Sequence, residues 1–141
     1  MDIEIREFLP ADYDAAIALW KRTPGMGLSD ADSRERITSF VARNPGLSFV
    51  AEDRSGKGLV GTILCGSDTR RGYLYHLAVD MSIRRQGLGT RLADSAMAAL
   101  KAQGVEKAHL MVIAGNELGT AFWKSAGWTY REDIDLYSKS V

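Results

Sequence analysis

The residues best placed to do chemistry form one stretch, His76-Leu-Ala-Val-Asp-Met-Ser-Ile-Arg-Arg-Gln-Gly-Leu-Gly89, followed by a helix running to about Lys101. It reads as a strand, a basic glycine-containing turn and a helix start. The first amides of a helix lack partners and carry roughly half a positive charge, so an anion such as phosphate is the natural guest. Gly87 and Gly89 let backbone approach that guest without an intervening Cβ. Arg84 and Arg85 add positive charge at the mouth.

Two well-known phosphate loops do not fit. The dinucleotide fingerprint needs a third glycine where Leu92 stands, and the Walker loop needs a lysine between Gly89 and Thr90. An ATP or NAD domain is disfavoured on those grounds. A plain tight turn before a helix explains the glycines alone, but not the two arginines or the apolar strand running into the turn.

The elements that must position this stretch are legible from periodicity. Ile3 and Ile5 alternate with charged residues in a first strand that extends toward Phe8. Asp12 is a candidate cap for a helix with Ala16, Ile17 and Trp20 at helical spacing. A connector from Thr23 to Glu35 leads to a second helix bearing Ile37, Phe40 and Val41, with Asp30 as its natural cap. Strands are expected at 47–52, 59–66 and 73–80, then the glycine turn and its helix, a buried strand at 108–114, a short helix at 118–125, and closing strands at 128–131 and 134–138. No linker or repeat interrupts the chain, which predicts a single domain over 1–141. The fold class expected is α/β (α+β): one mixed, mostly antiparallel sheet of six to seven strands flanked by helices.

Composition narrows the function classes. Of 141 residues, 45% are hydrophobic, and eighteen basic residues balance eighteen acidic ones. That balance argues against general nucleic-acid or membrane-surface binding. The single cysteine, Cys65, excludes an internal disulfide and suits a buried strand thiol in a reducing compartment. The N-terminal stretch has no apolar signal region, and no apolar run approaches the ~20 residues that cross a bilayer. A cytoplasmic location is expected, with no metal and with a monomer or homodimer left open.

The chain resembles the GNAT superfamily of acyl-CoA-dependent N-acyltransferases. Its signature, Gln/Arg-x-x-Gly-x-Gly/Ala, is matched by Arg84-Arg-Gln-Gly87-Leu-Gly89 after a strand of Leu77-Ala78-Val79 type. A second element is matched by Asn116 and by Ala121-Phe-Trp-Lys-Ser-Ala-Gly127-Trp128. The resemblance covers essentially the whole chain. It implies acetyl-CoA as acyl donor, with the amides of Gln86, Gly87, Leu88, Gly89 and Thr90 holding the pyrophosphate near Arg84 and Arg85. The backbone of Leu77, Ala78 and Val79 would pair with the pantetheine arm like an added strand, and an amide on or beside Val79 would stabilise the oxyanion. Asn116 would bond the pantetheine, and Phe122 and Trp123 would wall the thiol end. The residues alone also allow Asn116 as a helix cap and both aromatics as core.

Two family features are missing. A tyrosine often found seven residues after the Asn, to protonate the thiolate, is Trp123 here, and a glutamate base on the penultimate strand is replaced at about Met111. An indole N–H is no proton source at neutral pH. General acid–base help is worth about 3–5 kcal/mol, whereas alignment supplies roughly 7–11 kcal/mol. Activity is therefore expected to survive through a water chain or a substitute proton acceptor, with His76 or Tyr75 the candidates and His109 of little weight. Either residue can equally be structural: a strand histidine can satisfy itself on a neighbouring loop, and Tyr73 and Tyr75 can pack on a helix. Acidic Asp30, Asp32 and Glu35 in the connector can attract an amine or simply favour helix starts, and Arg70 or Arg71 can meet an acceptor anion or merely solvate a turn. The expected reaction is direct transfer of acetyl from acetyl-CoA to a primary amine of a small metabolite, a peptide N-terminus or a lysine. The alternative is a catalytically silent acyl-CoA-binding module.

Overall fold

The computed structural model describes residues 2–84 and 86–141. They form two compact units, Met1–Met111 and Val112–Val141. In the first unit, β1 (Ile3–Glu7), β2 (Phe49–Asp53), β3 (Gly58–Ser67), β4 (Gly72–Val79) and β5 (Ala108–Leu110) build one sheet in the order β1-β2-β3-β4-β5. The first three pairings are antiparallel and β4–β5 is parallel. Helices α1 (Tyr13–Lys21), α2 (Arg34–Arg43) and α3 (Leu88–Ala102) belong to the same unit, and α4 (Glu117–Ser125) to the second.

The mixed sheet with helices is the architecture the periodicity predicts, but five strands are present among the described residues, not six to seven. The expected closing strands at 128–131 and 134–138 carry no strand, and the buried strand expected over 108–114 is cut to Ala108–Leu110. Alternation dictates which side chains share a face. A strand also needs a neighbouring edge to take its N–H and C=O groups, and periodicity is silent on that. Tyr130, Ile134, Leu136 and Tyr137 are accordingly exposed.

Helices cover both faces of the sheet. In β3, a Cβ on Gly61 would fall 2.9 Å from Leu92 Cδ1 of α3. The next residue, Thr62, instead receives the Trp20 indole N–H of α1 at 2.9 Å. Successive strand residues point to opposite faces, so α1 and α3 lie on opposite sides. Ala16, Leu19 and Trp20 of α1 and Ile37 and Val41 of α2 share one core with Val50, Leu64 and Ala78 of the sheet. On the other side Leu92, Ala96 and Leu100 of α3 are buried at the predicted spacing.

Two expected caps differ. Asp12 stands at the N-cap of α1 but makes no capping bond there; its carboxylate takes the Leu9 N–H at 2.8 Å and a bidentate pair of bonds from Arg6 at 2.9 Å. The Arg6 fork offers a planar charged partner, which outcompetes a single amide. Asp30 does not cap α2; Ser33 does, and Ser29 caps a preceding 3-10 turn at Asp30–Asp32.

Candidate functional site

The strand β4 is irregular where the sequence predicted chemistry. Tyr75 lies opposite Leu64 and Ala78 opposite Thr62, so His76 and Leu77 together face only Ile63 of β3. Two residues against one is a β-bulge, which bends a strand and re-aims a side chain. In an unbroken strand His76 would share the α3 face with Leu74. The bulge instead turns it toward α1 and the α1–α2 connector. There its ring packs edge-on against Trp20, with centroids 4.7 Å apart. His76 has φ +50°, in the left-handed region that non-glycine residues rarely enter.

Beyond the bulge β4 has an open edge. Its parallel pairing with β5 spans only Gly72–Leu74 against Ala108–Leu110, so residues 75–79 have no strand on that side among the described residues. The edge leads into a turn stabilised by Asp80, whose carboxylate accepts from Ser82 N–H and Ser82 Oγ and is paired with Arg22. These bonds hold Asp80 down at about 2, the Ser82 hydroxyl contributing most. Arg84 folds back to donate from Nε to the Val79 carbonyl at 3.2 Å. Arg85, also predicted beside the phosphates, lies outside the described residues.

Gly87 sets up the helix start with φ +74°, a conformation that costs any L side chain roughly 1–2 kcal/mol. The α3 ladder opens with Arg91 N–H donating to Gly87 O at 3.1 Å. No side chain caps Gly87, and the first turn has no acidic residue. The amides of Leu88, Gly89 and Thr90 therefore have no partner among the described residues, the arrangement that receives an anion.

Of the two candidate proton acceptors, Tyr75 is wedged against Phe40, centroids 5.9 Å apart, and burial pushes its hydroxyl up. His76 is bonded through Nε2 to Asp32 Oδ1 at 2.6 Å. Thr62 Oγ1 donates to the His76 carbonyl at 2.8 Å while accepting from Trp20. Of the connector acids, Asp32 is thus a buried partner of His76, a role the sequence did not disclose across a separation of 44 residues. Nor did it disclose the Arg22–Asp80 pair. His109 lies on β5 beside Tyr73, and Arg70 pairs with Asp68 in an exposed turn.

In the second unit Asn116 caps α4, its Oδ1 accepting from Gly119 N–H at 3.0 Å. Phe122, Trp123 and Trp128 stack edge-to-face in series, with centroids 4.9 and 5.3 Å apart. Among the described residues no group of His, Cys, Asp and Glu could hold a metal, and no helix is long and apolar enough to cross a membrane.

Comparison with known proteins decides the family. The model of the acetyltransferase (GNAT) family matches residues 13–128. This chain belongs to the GNAT acetyltransferase family. An acetyltransferase of Pectobacterium atrosepticum is 33% identical over 115 residues, 82% of this chain and 79% of the relative. N-alpha-acetyltransferase 30 of Schizosaccharomyces pombe is 30% identical over 106 residues, 72% of this chain and 69% of that one. The PaiA N-acetyltransferase of Thermoplasma acidophilum, solved in complex with coenzyme A, superimposes with a TM-score of 0.81 at 24% identity, covering 96% of this chain and 94% of that chain. A GNAT acetyltransferase takes its acyl group from acetyl-CoA and delivers it to an amine. The residues present fit that donor: an uncapped helix start free of acids for the diphosphate, and an open strand edge for an amide-bearing arm.

Proposed function

We infer that the whole chain, 1–141, acts as one N-acetyltransferase domain that transfers acetyl from acetyl-CoA directly to a primary amine. The observation that carries this is the continuity of the open β4 edge at 75–79 with the uncapped α3 start. The amides of Gln86 to Thr90 hold the diphosphate, with Arg84 adjacent. The backbone of Leu77, Ala78 and Val79 aligns the pantetheine arm, which places the thioester toward the bulge at His76. An amide of that strand end stabilises the oxyanion as the amine adds. His76 accepts the proton that the amine sheds, and Tyr75 supports the wall behind it. Alignment carries most of the acceleration, so a tryptophan at position 123 is compatible with turnover.

The acceptor enters beside the α1–α2 connector, where Tyr13, Ile17, Leu28 and Ser29 line an open depression of about 390 Å³. Tyr13, Ile17 and Leu28 give it apolar contact, and Asp30 and Asp32 outnumber Lys21 in its lining, which suits an amine carried on a partly apolar body, whether metabolite, peptide N-terminus or lysine side chain. Calorimetry with acetyl-CoA, followed by free-thiol release over a panel of those three amine classes, tests the reading. Saturable binding with release for at least one class is expected. No binding overturns it, and binding with no release for any amine would mark a silent module.

A further inference from the structure

We propose that Asp32 is a positioning residue for His76, so that a carboxylate on the acceptor-side connector and an imidazole on the donor strand work as one proton-accepting dyad. This rests on the acetyltransferase reading above and deepens it. Three independent features converge on the pair. The bulge in β4 and the left-handed φ of His76 turn the ring away from the α3 face and toward the connector. Asp32 meets Nε2 at 2.6 Å and is itself held in place: its Oδ2 accepts from Ser29 N–H at 3.0 Å, and its carbonyl accepts from the Tyr13 hydroxyl at 2.6 Å. The remaining ring nitrogen is left available. No bond to Nδ1 is formed among the described residues, and no buried side-chain nitrogen or oxygen lacks a partner there, so Nδ1 reaches solvent.

A carboxylate can only accept, so an ionised Asp32 places the imidazole proton on Nε2 and the lone pair on Nδ1. The neutral amine nitrogen bonds to the thioester carbonyl carbon, and the C–S bond breaks with its electron pair going to sulfur. The amine's surplus proton passes to Nδ1, giving an imidazolium beside the Asp32 carboxylate. Solvent protonates the thiolate and later takes the proton from Nδ1. The carboxylate thereby both selects the tautomer and stabilises the charge that appears during transfer, the division of labour familiar in triads. Trp20 and Thr62 brace the other side: the indole N–H reaches Thr62 Oγ1, which donates to the His76 carbonyl, so Thr62 ties the bulged residue to β3.

The test compares wild type, Asp32→Asn, His76→Ala and the double variant. Acetyl-CoA affinity is measured by calorimetry, and kcat and KM by thiol release with the best amine of the panel. Asp32→Asn is expected to bind acetyl-CoA within about twofold of wild type while kcat falls at least about tenfold. In the His76→Ala background the same substitution should cost kcat nothing further, because the contribution of Asp32 to proton transfer runs through the ring. Equal losses in both backgrounds would overturn the dyad, as would a wild-type kcat in Asp32→Asn. A measurement free of turnover accompanies these: the chain has only two histidines, so the imidazole ¹⁵N signals that vanish in His76→Ala identify those of His76 in the wild type and report its tautomer. A proton on Nε2 and none on Nδ1 is expected; the reverse overturns the proposal even if Asp32→Asn fails to fold. A wild-type protein that binds no acetyl-CoA would sink the acetyltransferase reading and the dyad with it, an outcome distinct from active enzyme with an indifferent Asp32.

Discussion

Thr62 shows how much one hydroxyl can hold together. It accepts from the Trp20 indole and donates to the His76 carbonyl, both in buried or half-buried surroundings. Thr62→Val keeps the shape but strands a donor and an acceptor. Each stranded group costs about 1–3 kcal/mol, so urea unfolding should show a loss of roughly 2–5 kcal/mol. Asp80 gives a pH signature at the same scale. Its carboxyl is held at about 2, below the ordinary 3.8, so its stabilising contribution is complete above about pH 4 and disappears as pH falls toward 2. Asp80→Asn should therefore lower stability at neutral pH while narrowing the gap to wild type near pH 2, as followed by thermal melts across that range. The candidates Tyr75, His76 and Asn116 were legible as types in a local pattern. The partners of Tyr75 and His76, namely Phe40, Asp32 and Thr62, were not, because no local rule relates positions 35, 44 and 14 residues apart.

At the scale of elements, α3 joins packing to binding. Its apolar stripe, Leu92, Ala96 and Leu100, was readable from a 3.6-residue period, and its start from the glycine turn. The depth at which it sits was not, since this depends on Gly61 and Gly72 of the facing strands. A Cβ on Gly61 would come within 2.9 Å of Leu92 and 3.3 Å of the Ala78 carbonyl. Gly61→Ala should cost about 1–3 kcal/mol, measurable as a lower urea midpoint with unchanged slope. The exposed start of α3 predicts an opposite pairing of effects. In Thr90→Glu a carboxylate joins the first turn, which the helix dipole tolerates or favours, so the melting temperature should hold or rise slightly. The same charge faces the proposed diphosphate, and calorimetry should find acetyl-CoA affinity reduced by about tenfold or more. Strand pairing was the element-level property least visible in the chain. Segments 128–131 and 134–138 have strand-like alternation yet pair with nothing among the described residues.

For the molecule as a whole, Cys65 is a ready reporter. It is fully buried in β3, and burial pushes its thiol up to about 12, so it is inert at neutral pH. Labelling by a thiol reagent should proceed only through opening of the central sheet, at a rate that follows global unfolding as denaturant is added. Rapid labelling of the native protein would show that β3 opens locally. Several properties of this protein were set by its linear order: the positions of its helices, the strand-turn-helix that suits a diphosphate, the buried thiol and the family signature. All depend on residues within a few positions of one another, where periodicity and backbone chemistry act directly. Tertiary structure alone decided the number of strands, the bulge that swings His76 onto the connector side, and the pairing of that ring with Asp32. Those depend on which edge of which strand takes each backbone amide, and a one-residue change in that register reverses the face every side chain presents.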